Sequence, residues 1–414
     1  MESKNPYAFP LKLEQYAPAP VPSLAEWKQL WSVWDLVTTR MISPDALMEQ
    51  PIPLRNPLLF YLGHIPTLSE STLSSQTLAN SELSEDIHIT RATNSKPSEP
   101  AYYHQIFERG IDPDVDDPSK CHDHSELPDG FPCLGDILLY RERVKQRIAL
   151  LYQSEKPCTD RCIGRALWIG FEHEGLHAET FLFMTIQSPN ILSPPDMLRP
   201  DFEKLAKEAA SRRLQNPWIK VPEQTFTIGY HDPESDDGPN RFFAWDNERE
   251  PYDIAVSQIE AQGRPVSNGE YAKYLVDVED PQIPTTWSKT RDARIDEDYK
   301  TFITLHNTNS GFQNFHPTGI THKGDLCGLG DTGGAAEWTR TLFVPQPGFK
   351  AMDIYPGYSA DFMDRKHLAV VGGSWALHPR IAGRKSFLSW WQKKYLWPWV
   401  TFRLVRDIEQ SEDR

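Results

Sequence analysis

The sequence predicts a helical first half followed by a loop-rich α+β second half, and the spacing of apolar residues is the main reason. Up to about residue 215, apolar side chains recur at helical intervals. Beyond Asn216-Pro217 they fall instead into short β-like runs, TFTIGY, YDIAV, LAVVGGSW and FRLVRD, separated by stretches rich in Gly, Pro, Asn and Asp. Length agrees with two domains, since 414 residues exceed what one hydrophobic core usually serves.

Taken in order, residues 1–22 form a proline-rich N-terminal tail. Ser23 to Met41 opens with Ser23 followed three residues later by Glu26, the capping-box pattern, and places Leu24, Trp27, Leu30, Trp31, Trp34 and Leu36 near helical spacing. A second helix is expected over Pro57 to Ile65, containing LLFYLGH. The run Ser69 to Glu85 is dominated by Ser, Glu, Thr and Leu with no apolar period, the composition of a disordered surface insertion. A polar loop from Asp112 to Pro132 leads into a helix over Leu134 to Gln153, and Ile163 to Ser188 reads as a long helix. Residues 23–200 are thus expected to be a bundle of about four helices. A charged linker helix occupies 201–216, and 217–410 form the second domain.

Forty-three basic against 58 acidic side chains give a formal charge of −15, which repels nucleic-acid phosphates and anionic lipid alike. Neither the N-terminus nor any later run has the apolar length of a signal peptide or a membrane span. A cytoplasmic protein is expected. Its five cysteines are odd in number and form no zinc-type CxxC pairs, which suits reduced thiols.

The chemistry concentrates on the long helix. His173 and His177 stand four apart in FEHEGLHAET, so both imidazoles share one face and reach one metal. His173 to His177 also reads H-E-x-x-H, the zinc-hydrolase pattern in which Glu174 would be the general base. Candidates for a third ligand are His64, His88, His104, His122 and His124. His64 is preferred, because it ends an apolar helix where an unpaired imidazole would be costly. Three histidines with open coordination positions suit iron, but ligand type alone does not separate iron from zinc.

Several longer segments carry a resemblance. NPLLFYLGHIPTL, TRATNSKPSEPAYYHQIFERGIDPDVDDP and RALWIGFEHEGLHAETFLFM resemble the DinB-like helical domain of the ergothioneine-pathway sulfoxide synthases, especially the fungal type. VPEQTFTIGY, FFAWDNEREPY, PVSNGEYAKYL, GGAAEWTRT, VVGGSWALHPRIAGRKSF and FRLVRD resemble the formylglycine-generating-enzyme-like (C-type-lectin-like) domain that follows it in that family. The match runs from about Ser23 to Asp407.

The resemblance implies that His64, His173 and His177 hold Fe(II), with O2 as co-substrate. It also implies the reaction: a cysteine-type thiol joins the imidazole of hercynine and its sulfur becomes a sulfoxide. Tyr355, in IYPGYSADF with Tyr358 three residues on, falls near the family's catalytic tyrosine, and a neutral phenol can give up a proton or a hydrogen atom. Trp390 and Trp391 fall where the family binds hercynine, and aromatic rings attract a trimethylammonium group. Ser389 stands where that pattern has Asn. Arg380 and Arg384 are candidates for the substrate carboxylate, which guanidinium groups bind bidentately.

This chain departs from the fungal pattern in two further ways. No Gly-rich methyltransferase region precedes the helical domain, so a separate methyltransferase is expected to supply hercynine. The Ser69 to Glu85 insertion begins five residues beyond His64. Two other readings stay open, a zinc hydrolase and a catalytically degenerate paralogue acting as a binding module. Formylglycine-generating activity is disfavoured, because the second domain has only Cys327 and that chemistry needs paired cysteines.

Overall fold

A computed structural model describes residues 5–11, 16, 21–67, 89–90, 92–96, 98–125, 127–195, 197–213, 215–232, 243–279, 310–320, 333–353, 355–384 and 386–408. The expected insertion at 69–85, His88 and Cys327 lie outside these residues.

The helical half contains α1 (Leu24–Asp35), α2 (Leu58–His64), α3 (Leu134–Leu151) and α4 (Arg161–Thr185). The capping box forms as expected at the start of α1, with Glu26 N–H donating to Ser23 Oγ and Ser23 N–H to Glu26 Oε2. After Asp35 the chain widens into a π-helical turn, Leu36–Arg40, so α1 ends earlier than its apolar period suggested. Asp160 caps α4 by accepting from Ile163 N–H. Helix α4 is buried over nearly its whole length, with α1 and α2 packed on it and α3 on α2. A charged helix, α5 (Phe202–Ser211), buries none of its residues and connects to the second half.

The second half is strand-bearing and also carries a helix, α6 (Asn268–Asp277). Strand β1 (Trp218–Val221) pairs with β4 (Ile259–Gln262), which pairs with β9 (Val405–Asp407), all antiparallel. Strands β2 (Gln224–Ile228) and β3 (Tyr252–Val256) form a separate antiparallel pair. The third sheet runs β7 (Leu388–Gln392), β6 (His367–Val371), β5 (Ala336–Leu342), β8 (Val400–Thr401), with only β5 and β8 parallel. The architecture is therefore mixed helix and sheet.

One apolar cluster runs through both halves, joining Trp27, Phe171 and Phe183 to Trp245, Tyr355, Trp375 and Trp399. The proline-rich tail takes part in it. Phe9 is 2% exposed, and its backbone N–H donates to Gly311 O at 2.8 Å, so this stretch straps the C-terminal half rather than extending into solvent. Acidic residues of the polar loop after α2 have a similar part, because Asp114 and Asp116 pair with Lys366 and Lys394 across the two halves. No helix among the described residues is long and apolar enough to cross a membrane.

Candidate metal centre

Helical geometry puts His173 and His177 one turn apart on α4, while α2 ends on His64 against the same spot. One ligand atom from each histidine lies within 4.8 Å of the others, and this is the one group of three such side chains found among the described residues. Ring centroids are 5.2 Å apart for His64 and His173, 4.9 Å for His64 and His177, and 4.5 Å for His173 and His177.

The tautomer of His64 follows from its neighbour. Its Nδ1 lies 2.7 Å from the Phe107 carbonyl oxygen, which only accepts, so Nδ1 carries the proton and Nε2 keeps a lone pair. Burial, reinforced by the neighbouring His173, His64 and Arg55, holds His177 neutral, well below the usual histidine range. His177 Nδ1 is buried with no hydrogen-bond partner among the described residues. A neutral His177 converging with two further imidazoles, with a buried polar atom left over, forms a donor set that fits a divalent cation.

The other histidine candidates go elsewhere. His104 Nε2 meets the Tyr140 hydroxyl at 3.1 Å, and burial, helped by the Arg147 charge, pushes it down to about 3. His122 and His124 bond the carbonyls of Gly110 and Ser125.

Glu174 decides against the hydrolase geometry. It is fully buried and pairs with Arg141 of α3 at 2.5 Å. A carboxylate held by a buried guanidinium is badly placed to activate water at the histidine cluster.

Tyr355 stands where a donor would be useful. Its ring is edge-on to His173, with centroids 6.3 Å apart, and it is 3% exposed. Tyr358 lies 5.5 Å from it and stacks on Trp245 at 3.8 Å and 15°. Burial drives the Tyr358 phenol well above its ordinary range, and the carboxylates of Glu248, Asp246 and Glu172 push it the same way. It stays protonated.

The expected tryptophan wall is divided by strand alternation. Trp390 and Trp391 are adjacent on β7 and point to opposite faces. Trp390 stands 5.2 Å from Tyr358 and stacks on Phe343, whereas Trp391 packs against Phe183, Tyr395 and Trp397 with the Arg55 guanidinium over it. Only Trp390 shares a wall with the tyrosines. Ser389 is in register with Val370 and belongs to the Trp391 face.

Arg380 and Arg384 have partners other than those expected. Arg384 donates to both oxygens of Glu172 and both oxygens of Glu248, and these carboxylates take up its fork. Arg380 donates to Glu26 Oε1 at 2.7 Å and lies over the Tyr16 and Trp168 rings. Both arginines tie the second half to the helices.

No family model matches the chain. Ergothioneine biosynthesis protein 1 of Neurospora crassa is 35% identical over 541 aligned residues, covering 98% of this chain and 60% of that protein. The chain belongs to this ergothioneine-pathway family. The protein of the same name from Schizosaccharomyces pombe is 29% identical, over 96% of this chain and 58% of that one. This family member thus spans about three-fifths of the length of the curated relatives it matches. The solved structure of PvdO from Pseudomonas aeruginosa is similar over 46% of this chain and 94% of that chain, at 14% identity and a TM-score of 0.26.

Sequence reasoning missed the residues that hold the family member's site in shape. Phe107 fixes His64 through a backbone carbonyl, which no side-chain pattern reveals. Arg55, 3.4 Å from Asp112 and over the Tyr395 ring, reaches His177 electrostatically. Trp245 and Glu248 in FFAWDNEREPY are almost fully buried. The available signal was a dense acidic and aromatic run in a segment with no apolar period, which buried pairing explains better than solvation.

Proposed function

We propose that this chain is a non-haem iron(II), O2-dependent sulfoxide synthase of ergothioneine biosynthesis. It would join a cysteine-type thiol to the imidazole of hercynine, or a related histidine derivative, and oxidise the sulfur. The observation that carries this reading is the convergence of His64, His173 and His177 with Tyr355 edge-on to His173. Membership of the ergothioneine-pathway family supports the pathway. In this reading residues 23–200 are a DinB-like four-helix bundle, 201–216 a linker helix, and 217–410 a formylglycine-generating-enzyme-like domain.

His64, His173 and His177 would hold the ferrous ion. Bound there, iron would supply the redox path by which O2 takes four electrons from the two substrates. Overall, the thiol S–H and an imidazole C–H are lost, a C–S bond forms, and O2 ends as the sulfoxide oxygen and one water. No external reductant is required.

The chain's own residues set the conditions. The Phe107 carbonyl keeps the His64 lone pair directed at the cluster. The Tyr355 hydroxyl carries a transferable proton on a buried ring beside His173. Trp390 and Tyr358 offer aromatic faces to a trimethylammonium group, which prefers them to bulk water only where desolvated.

The zinc-hydrolase reading loses its general base, because Glu174 is bound to Arg141. The test is to load anaerobically purified protein with ferrous iron, add hercynine and cysteine, admit air and measure product mass. A sulfoxide-bearing adduct of both substrates is expected. Absence of thiol-dependent O2 uptake with any imidazole would overturn the oxidase reading and favour a non-catalytic binding module.

A further inference from the structure

We infer that Trp245 is a positioning residue, holding Tyr355 at its angle to His173 by bridging the ligand helix and the tyrosine loop. The inference rests on the sulfoxide-synthase reading above. Its starting point is a motif the proposed chemistry leaves unused, FFAWDNEREPY, whose Trp245-Asp246-Asn247-Glu248 core is buried throughout.

Three contacts give Trp245 its place. Its indole Nε1–H donates to Glu172 Oε2 at 2.7 Å, and Glu172 directly precedes His173 on α4. Its ring lies flat on Tyr358 at 3.8 Å and meets Tyr355 at 6.2 Å, nearly perpendicular. Its backbone N–H donates to Glu248 Oε2 at 3.1 Å, and Glu248 shares Arg384 with Glu172. One side chain therefore touches both elements whose relative placement decides the His173 to Tyr355 geometry.

The charge arrangement separates positioning from simple packing. Glu172 accepts from two Arg384 nitrogens as well as from the indole, so the carboxylate stays paired if the indole N–H is lost. Replacing Trp245 by Phe should thus leave α4, its histidines and their cation intact. What disappears is the hydrogen bond that fixes the ring's angle beneath Tyr358. A small displacement of a reacting group costs rate without costing binding.

The test uses the iron-loaded full chain and Trp245→Phe. Iron per chain should match wild type, kcat for sulfoxide formation should fall about tenfold or more, and KM for both substrates should stay within about twofold. Amide exchange over 355–362 should quicken about fivefold while 173–177 is unchanged. In the Trp245→Phe/Tyr355→Phe double variant, the rate should equal that of Tyr355→Phe alone within about twofold, because one acts through the other.

Unchanged exchange over 355–362, losses that multiply in the double variant, or iron loss in step with activity would each overturn the proposal. If wild-type protein shows no thiol- and imidazole-dependent O2 uptake, the sulfoxide-synthase reading fails. The exchange measurement needs no turnover and still decides the role of Trp245.

Discussion

His64 donates its Nδ1–H to the carbonyl of Phe107 while the ring of Phe107 closes over Gly63, the residue just before the histidine. A Cβ on Gly63 would come within 2.5 Å of Phe107 Cζ, and that ring cannot retreat because it is fully buried and stacked on Phe131. One phenylalanine thus sets both the tautomer of a ligand and the packing of the helix that presents it.

Gly63→Ala should therefore weaken metal binding without touching a ligand. Overpacking of this kind costs about 1 to 3 kcal/mol of stability, and displacing the partner of a ligating histidine costs about tenfold or more in metal affinity. Chelator competition checks it; wild-type affinity in the variant would mean that the Phe107 contact does not govern His64.

The buried pair of Glu174 and Arg141 makes the opposite prediction. Glu174→Gln should lower stability by about 3 kcal/mol, since buried Arg141 loses its closer counter-charge and keeps only Asp35 at 3.4 Å. Metal content and oxidase turnover per metal should persist, within a factor of about three. Turnover that vanishes with metal retained would restore Glu174 as a catalytic base.

Asp246 supplies a pH test. Burial raises its carboxyl from 3.8 to about 6, against the opposing Ser359 hydrogen bond and Arg249 charge. The folded state then holds this proton more tightly than the unfolded chain. Its contribution is complete below about pH 3.8 and is lost as pH rises through about 6, a change of about 3 kcal/mol. Asp246→Asn should flatten that slope, narrowing the difference in urea midpoint between pH 5 and pH 7.5. An unaltered slope would assign the pH dependence to other groups.

Tyr355→Phe should keep the metal, because it removes only a hydroxyl beside His173. The product balance should move toward oxidation of the thiol alone, read by mass spectrometry. Unchanged sulfoxide yield would remove Tyr355 from the chemistry.

Much of the helical half was legible because its signals are local. The Ser23 and Glu26 cap, the periodic apolar stripe of α4 and the i, i+4 spacing of His173 and His177 need only a few consecutive residues. His64 was legible as the third ligand only through its place at the end of an apolar helix, a weaker signal than spacing, since its partners lie on α4 more than a hundred residues away.

The long-range partners that the sequence did not reveal share one physical cause. Arg384 looks like an anion-binding residue in isolation, and its partners Glu172 and Glu248 lie 212 and 136 positions away. Arg380 likewise finds Glu26 across 354 positions. Long-range pairing of charges leaves no periodic trace. The division of Trp390 from Trp391 was available in principle, because neighbours on any strand face opposite ways.

In the function proposed here, three histidines would hold an iron that couples O2 to sulfur oxidation and C–S bond formation. O2 uptake by iron-loaded protein with thiol and hercynine together, using labelled oxygen and comparing His177→Ala, measures that coupling. One O2 should be consumed per sulfoxide formed, with one labelled oxygen on the sulfur and loss of both iron and uptake in the variant. Uptake that does not depend on the thiol, or equal iron content and rate in His177→Ala, would contradict it.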